Sequence, residues 1–181
     1  MDSSPSFLDP EKVVKQFNLS AGDHVADFGA GHGYLTIPMA RIVGGDGKIF
    51  ALDIQKNSLD MIRSKARLEH LLNIETIWSD LEEPQGSHIK AGYIDFAVIA
   101  NILFQLENKN TVFNEAYRIL RKDGKLAALE WEGTLQSSLG PPLELRIPKE
   151  ETVRLATDAG FKLEREFDGG THHYGLLFKK Q

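Results

Sequence analysis

The chain has 181 residues, 41% of them hydrophobic, with a formal net charge of −5 and no cysteine. A chain of this length buries roughly 70% of its unfolded surface, enough for one substantial core, so a single domain over 1–181 is expected. Without cysteine there are no disulfides, thiolate metal sites or cysteine nucleophile; the negative balance supplies no overall attraction to nucleic acid; and no apolar run approaches the ~20 residues of a membrane span.

Met1–Pro10 has neither the basic start nor the apolar core of a signal peptide, which makes the cytoplasm the expected compartment. Asp9-Pro10 is a helix start, an N-cap acid followed by proline at the first helical position, with Val13, Val14 and Phe17 on one face. Strand one is His24–Phe28. A helix follows from about Tyr34 to Val43, and Pro38 interrupts its middle unless it begins late, near Ile37. Gly44-Gly45-Asp46-Gly47 ends that helix and strand two is Lys48–Asp53. The clearest helix runs from Ser58 to about Leu72, with Leu59, Ile62, Ala66, Leu68 and Leu72 inward. Ile74–Ser79 and Ile94–Ala100 are strands three and four, Thr111–Leu120 is helical, and Lys122-Asp123-Gly124 turns the chain into strand five, Lys125–Trp131. Lys149–Ala159 is a last helix stopped by Gly160, before strands at Phe161–Phe167 and His173–Lys179.

Strands alternating with helices specify an α/β fold with a mostly parallel sheet. The two closing strands are different. A parallel crossover needs about a dozen residues, and Asp168–His172 is too short to provide one, so the final pair must be an antiparallel hairpin.

The most informative stretch is Val25-Ala-Asp-Phe-Gly-Ala-Gly-His-Gly33, with Asp53 twenty positions past its last glycine. A buried strand entering a glycine turn, then a second strand ending in a carboxylate, is the arrangement that binds an adenosine compound at the carboxyl ends of an open α/β sheet. The dinucleotide fingerprint wants a glycine where Tyr34 stands, and the Gly-x-x-x-x-Gly-Lys-Ser/Thr phosphate loop is missing. Asp27, two residues before Gly29, would oppose a pyrophosphate and attract a ligand bearing an ammonium and a sulfonium. Here the sequence resembles the class I S-adenosylmethionine-dependent methyltransferases, whose first motif has this form. The resemblance extends at fold level over nearly the whole chain and implies a Rossmann-like, doubly wound, three-layer sheet of seven strands in the order 3-2-1-4-5-7-6, with the last strand antiparallel.

The same resemblance implies a set of contacts to S-adenosylmethionine. Phe28, Gly29, Ala30, Gly31 and Gly33 would line the turn beside Asp27. Asp53 would accept from both ribose hydroxyls and Ile54 would flank the adenine. Asp80 and Leu81, in Trp78-Ser79-Asp80-Leu81, occupy the place that meets the adenine amino group, and Ala100-Asn101 would pass under the methionine part. Residues 114–126, Asn-Glu-Ala-Tyr-Arg-Ile-Leu-Arg-Lys-Asp-Gly-Lys-Leu, resemble more narrowly the methyltransferases of quinone precursors and other small metabolites. A small-molecule acceptor is therefore expected. No Asn/Asp-Pro-Pro-Tyr/Phe follows strand four, which argues against methylation of exocyclic base nitrogens. The alternatives are a non-catalytic module of the same fold and, against the glycine spacing, an NAD-dependent oxidoreductase.

A sulfonium methyl is already activated, so a general base is optional. The candidates are Glu130 after strand five and His172 or His173 at the hairpin, where a neutral imidazole titrates near working pH. Alternation along a strand would put one of the two histidines in the core and the other in solvent. No spacing signature for a metal is present, and nothing in the sequence bears on oligomeric state. Only Met1–Asn18 and the 132–148 loop are free to cover the site. That loop, stiffened by Gly140-Pro141-Pro142 and Ile147-Pro148, is expected to act as a substrate lid, with Arg146 available to pair with an anionic group.

Overall fold

Side chains along the central strands alternate between two apolar faces, and this decides on which side each helix packs. The computed structural model describes residues 8–133 and 139–181. The expectations for Met1–Pro10 and for a lid at 132–148 fall partly outside those residues. The elements are α1 (Pro10–Lys15), β1 (His24–Phe28), α2 (Thr36–Val43), β2 (Lys48–Asp53), α3 (Lys56–Leu68), β3 (Ile74–Trp78), β4 (Ile94–Ala100), α4 (Lys109–Ile119), β5 (Leu120–Trp131), α5 (Lys149–Asp158), β6 (Phe161–Asp168) and β7 (His173–Lys180).

The seven strands lie in the order β3-β2-β1-β4-β5-β7-β6. Pairings from β3 through β5 are parallel, while β7 runs antiparallel to both β5 and β6. Val25, Ile49, Val98 and Ala127 meet Val13, Val14 and Phe17 of the α1 region and Met39, Ala40 and Val43 of α2. Their neighbours Ala26, Leu52, Ala97, Ile99 and Ala128 point the other way, onto Val112, Phe113 and Ala116 of α4 and Leu155 and Ala156 of α5. Ile62 of α3 covers Ala51, on the α1–α2 face. The three layers expected from the sequence result.

Local chemistry explains the boundaries. Asp9 caps α1, its carboxylate accepting from the Glu11 and Lys12 amides. α2 does begin late, so Pro38 falls in its first turn, where its missing N–H costs nothing. Helix α3 corrects the sequence reading: it stops at Leu68, and Leu68 and Leu72 are 81% and 97% exposed. At about 100° per residue, Leu68 lies roughly half a turn away from Leu59. His70 then adopts φ 54°, and the Leu71 amide closes the end onto the Ala66 carbonyl at 2.9 Å. β5 starts earlier than expected because Leu120 already pairs with Ile94; the Lys122-Asp123-Gly124 turn is a bulge before Lys125 pairs with Phe96.

Two polar networks hold surface segments where the fold needs them. The buried Glu115 carboxylate accepts from the Ser87 amide and hydroxyl and from Arg118, whose guanidinium also donates to the Ile89 carbonyl at 2.7 Å. This ties the 80–92 connection to α4. Helix α1 is held at both ends, by Arg41 to Glu11 at 2.6 Å and by a reciprocal pair between the Gln16 side chain and the Asp168 backbone. Among the described residues no helix is long and apolar enough to cross a membrane.

Replacing Glu115 with Ala leaves the buried Ser87 amide and hydroxyl without their acceptor and the half-buried Arg118 chiefly with the Ile89 carbonyl, so denaturant unfolding should show a loss of about 1–3 kcal/mol. Leu68→Glu and Leu72→Lys, by contrast, should each stay within about 0.5 kcal/mol of the parent. A large loss at Leu72 would mean that α3 continues as its sequence pattern suggests.

Candidate functional site

Because β1 is flanked by β2 on one side and β4 on the other, its neighbouring connections leave on opposite faces and a cleft opens at the carboxyl ends. A cavity of about 560 Å³ occupies it, within the usual size of a small-molecule site. The glycine turn forms one wall. The amides of Gly29 and Ala30 both donate to the Leu52 carbonyl at 2.9 Å, pinning the turn to β2. Gly29 has φ 71°, and a Cβ there would lie 2.4 Å from Ile102 Cγ2, so the turn and the loop after β4 are packed with no side chain between them. Gly31, at φ 51°, differs: a Cβ there would meet nothing nearer than the Gly29 carbonyl at 4.0 Å. The space it leaves open belongs to the cavity.

The acids are placed by backbone donors. Asp53 Oδ2 accepts from the Gly31 amide and Oδ1 from the Gln55 amide, each at 2.8 Å. A carboxylate has about four acceptor positions, so each oxygen retains one. Asp27 is 2% exposed and accepts from the Thr36 hydroxyl at 2.6 Å. Burial raises its pKa to about 6; the Thr36 hydrogen bond opposes this and the Asp53 charge adds to it. Asp80 Oδ1 accepts from the Glu82 amide at 3.0 Å, and the Glu82 carboxylate in turn accepts from the Asn108 amide at 2.7 Å. Among the described residues, Asp27, Asp53, Asp80 and Glu82 line the cavity and no lysine or arginine does. Such a wall favours a cation and repels a pyrophosphate.

The loop after β4 supplies the remaining wall through Ala100, Asn101 and Ile102. Asn101 has φ 55°, donates its amide to the Leu129 carbonyl at 2.9 Å, and leaves a buried Oδ1 without a hydrogen-bond partner. Glu130 Oε1 accepts from the Ile102 and Leu103 amides at 3.0 Å each.

Of the residues singled out in the sequence, Asp27, Gly29, Ala30, Gly31 and Asp53 line the cavity, as do Ile54, Asp80, Leu81, Ala100 and Asn101. Phe28 and Gly33 are buried in the packing behind it. Glu130, His172 and His173 are not on its wall. His172 lies in the turn before β7 and His173 is that strand's first residue, so strand alternation does not govern the pair. His173 is buried against the Trp131 ring at 4.3 Å, and burial, with lesser contributions from His172 and Arg146, carries its pKa down to about 4. His172 is half-buried, with Nδ1 2.7 Å from the Thr171 hydroxyl.

Arg146 corrects the expectation of an arginine offered to substrate. It is 5% exposed, donates to the carbonyls of Glu132, Leu139 and Pro141, and lies over the Trp131 ring. It fastens its own loop, because a buried guanidinium needs acceptors and the loop carbonyls supply them. Among the described residues no group of His, Cys, Asp and Glu side chains could hold a metal ion.

Leu8, Tyr34, Ser58 and Gln105 also line the cavity but carried no signal in the sequence. The Tyr34 hydroxyl donates to the Leu8 carbonyl at 2.6 Å, bringing the segment before α1 to the mouth. That contact spans 26 residues, and no local pattern announces it.

Comparison with known proteins agrees with this geometry. A family described as a methyltransferase domain matches residues 19–147. A demethylmenaquinone methyltransferase of Lactobacillus johnsonii is 33% identical over 124 residues, 66% of this chain and 48% of that protein. A ubiquinone/menaquinone biosynthesis C-methyltransferase of Vibrio campbellii is 30% identical over 61% of this chain and 42% of its own. The chain thus spans about half the length of the curated relatives it matches. The crystal structure of a SAM-dependent methyltransferase from Aquifex aeolicus superposes with a TM-score of 0.88 at 26% identity, covering 100% of this chain and 94% of that one.

Two buried carboxyls set a pH dependence. Burial lifts Glu130 from 4.5 to about 8, against the pull of its two amide donors, as it lifts Asp27 from 3.8 to about 6. Folded values above the unfolded ones favour the protonated forms, a contribution complete below about pH 4 and lost as pH rises through 6 and then 8. His173, with its pKa carried down to about 4, contributes in the opposite sense up to about pH 6.5, so thermal unfolding of the free protein should show Tm falling from pH 6.5 to pH 8.5, and E130Q should flatten that fall. A Tm rising over the same range would contradict this assignment.

Proposed function

Because the chain belongs to the methyltransferase-domain family, we propose that it transfers a methyl group from S-adenosylmethionine to a small-molecule acceptor. The observation that carries this reading is the cavity wall, in which four carboxylates and no Lys or Arg surround a glycine turn among the described residues. S-adenosylmethionine combines an adenosine with an ammonium and a sulfonium, and its electrophilic methyl supplies the chemistry when it is bound.

The residues present fit that ligand. Asp53 has one acceptor position left on each oxygen for the ribose hydroxyls. Ile54, 54% exposed at the rim, offers an apolar surface to the adenine. Asp80 and Leu81 serve its far side. The orphaned Asn101 Oδ1 suits an ammonium N–H, and Asp27 and the space at Gly31 accommodate the methionine part.

What the protein contributes to transfer is alignment and the exclusion of water. Positioning is worth on the order of 7–11 kcal/mol, against roughly 3–5 for a general base. The reading therefore rests transfer on alignment, with Glu130, His172 and His173 off the cavity wall. Leu8, Leu35, Leu106 and Leu129 make the acidic cavity apolar elsewhere. With the names of the relatives, this supports an apolar ring acceptor of the quinone-precursor kind. We place the reaction in the cytoplasm, and the net charge of −5 argues against a nucleic-acid substrate.

Calorimetric titration with S-adenosylmethionine, S-adenosylhomocysteine and NAD tests the reading: the first two should bind and NAD should not. Tight NAD binding with silence from the other two would sink it. Asp53→Ala should weaken S-adenosylhomocysteine by about 10- to 100-fold, the worth of a charge-assisted hydrogen bond.

A further inference from the structure

Glu130 ends β5 and is 1% exposed, yet it lies off the cavity wall. What it touches is the loop that forms that wall. Three successive amides after β4 are all received by β5: Asn101 donates to the Leu129 carbonyl at 2.9 Å, and Ile102 and Leu103 both donate to Glu130 Oε1 at 3.0 Å. The hold is needed there because Asn101 sits at φ 55°, a conformation uncommon for a residue with a side chain. The 102 and 103 amides are buried, so no water could replace the Glu130 carboxyl oxygen without rearrangement.

The loop passes this position on to the glycine turn. Ile102 Cγ2 occupies the place where a Cβ on Gly29 would fall, 2.4 Å from it, so a shift of Ile102 is felt directly at the turn. Glu130 is thus joined through Ile102 to Gly29, and through the same loop to Asn101, two parts of the wall that never meet β5 in sequence. We infer that Glu130 is a positioning residue for the methyl donor, holding Asn101–Leu103 against Gly29 so that the cavity is formed before the ligand arrives. This rests on the donor reading above.

The test compares S-adenosylhomocysteine affinity of the full chain as wild type, E130A and E130Q, together with amide hydrogen exchange at Ile102 and Leu103. Alanine removes the acceptor, and affinity should fall on the order of 10- to 100-fold as the wall loosens. Glutamine keeps a carbonyl oxygen at Oε1 and should recover affinity to within about threefold of wild type. A proton acceptor acting only in the chemical step would leave affinity alone in both variants. In the free wild type the two amides should exchange slowly, and in E130A they should exchange with the speed of an open loop. Wild-type affinity in E130A overturns the proposal, as does fast exchange at both amides in the wild type, a measurement that decides the matter even if E130A does not fold. A wild type that binds neither S-adenosylmethionine nor S-adenosylhomocysteine, with both amides still protected, overturns the donor reading instead.

Discussion

The reversal of strand order at β1 is the constraint from which the rest follows. β1 pairs with β2 on one side and β4 on the other, so the connection that follows β1, through α2, and the one that follows β4, through α4, lie on opposite faces of the sheet. The connections cannot both cover the carboxyl end, and a cleft remains. The alternation of the strands assigns α1, α2 and α3 to one face and α4 and α5 to the other. It also points Asp27 toward α2, where the Thr36 hydroxyl can meet it. The double donation of Gly29 and Ala30 to the Leu52 carbonyl then locks the turn to the neighbouring strand.

The cleft is electrostatically unfinished in the free protein. Asp27 and Asp53 face one cavity, and burial already raises Asp27 toward neutrality. A cationic ligand relieves this opposition, since an opposite charge within a few ångströms favours the ionised carboxylate. The methyltransferase family to which the chain belongs uses a donor of that charge, and the acids weigh against a pyrophosphate for the same reason.

Several residues whose chemical type suggests function turn out to support it from behind. Glu115 and Arg118, inside the stretch resembling metabolite methyltransferases, hold the 80–92 connection against α4 and so steady the corner bearing Asp80. Arg146 closes on the carbonyls of its own loop. A charged side chain in a short motif looks the same in sequence whether it faces a ligand or a backbone amide. Burial and hydrogen-bond partners tell the two apart.

From the sequence alone come the strand boundaries of β1, β2 and β4, the antiparallel closing hairpin and the glycine turn and acids that line the cavity. Each rests on local chemistry: alternation with period two, glycines at positive φ, and a connection too short to cross over. It did not determine where α3 turns away from the core, because Leu68 and Leu72 are as apolar as Leu59 and only their angle about the helix and its end at His70 separate them. Nor did it show Tyr34 reaching Leu8, or Glu130 turning inward to the Ile102 and Leu103 amides. Those contacts join residues 26 to 28 positions apart. They exist only once β4 and β5 lie side by side and the segment before α1 is laid across the cleft.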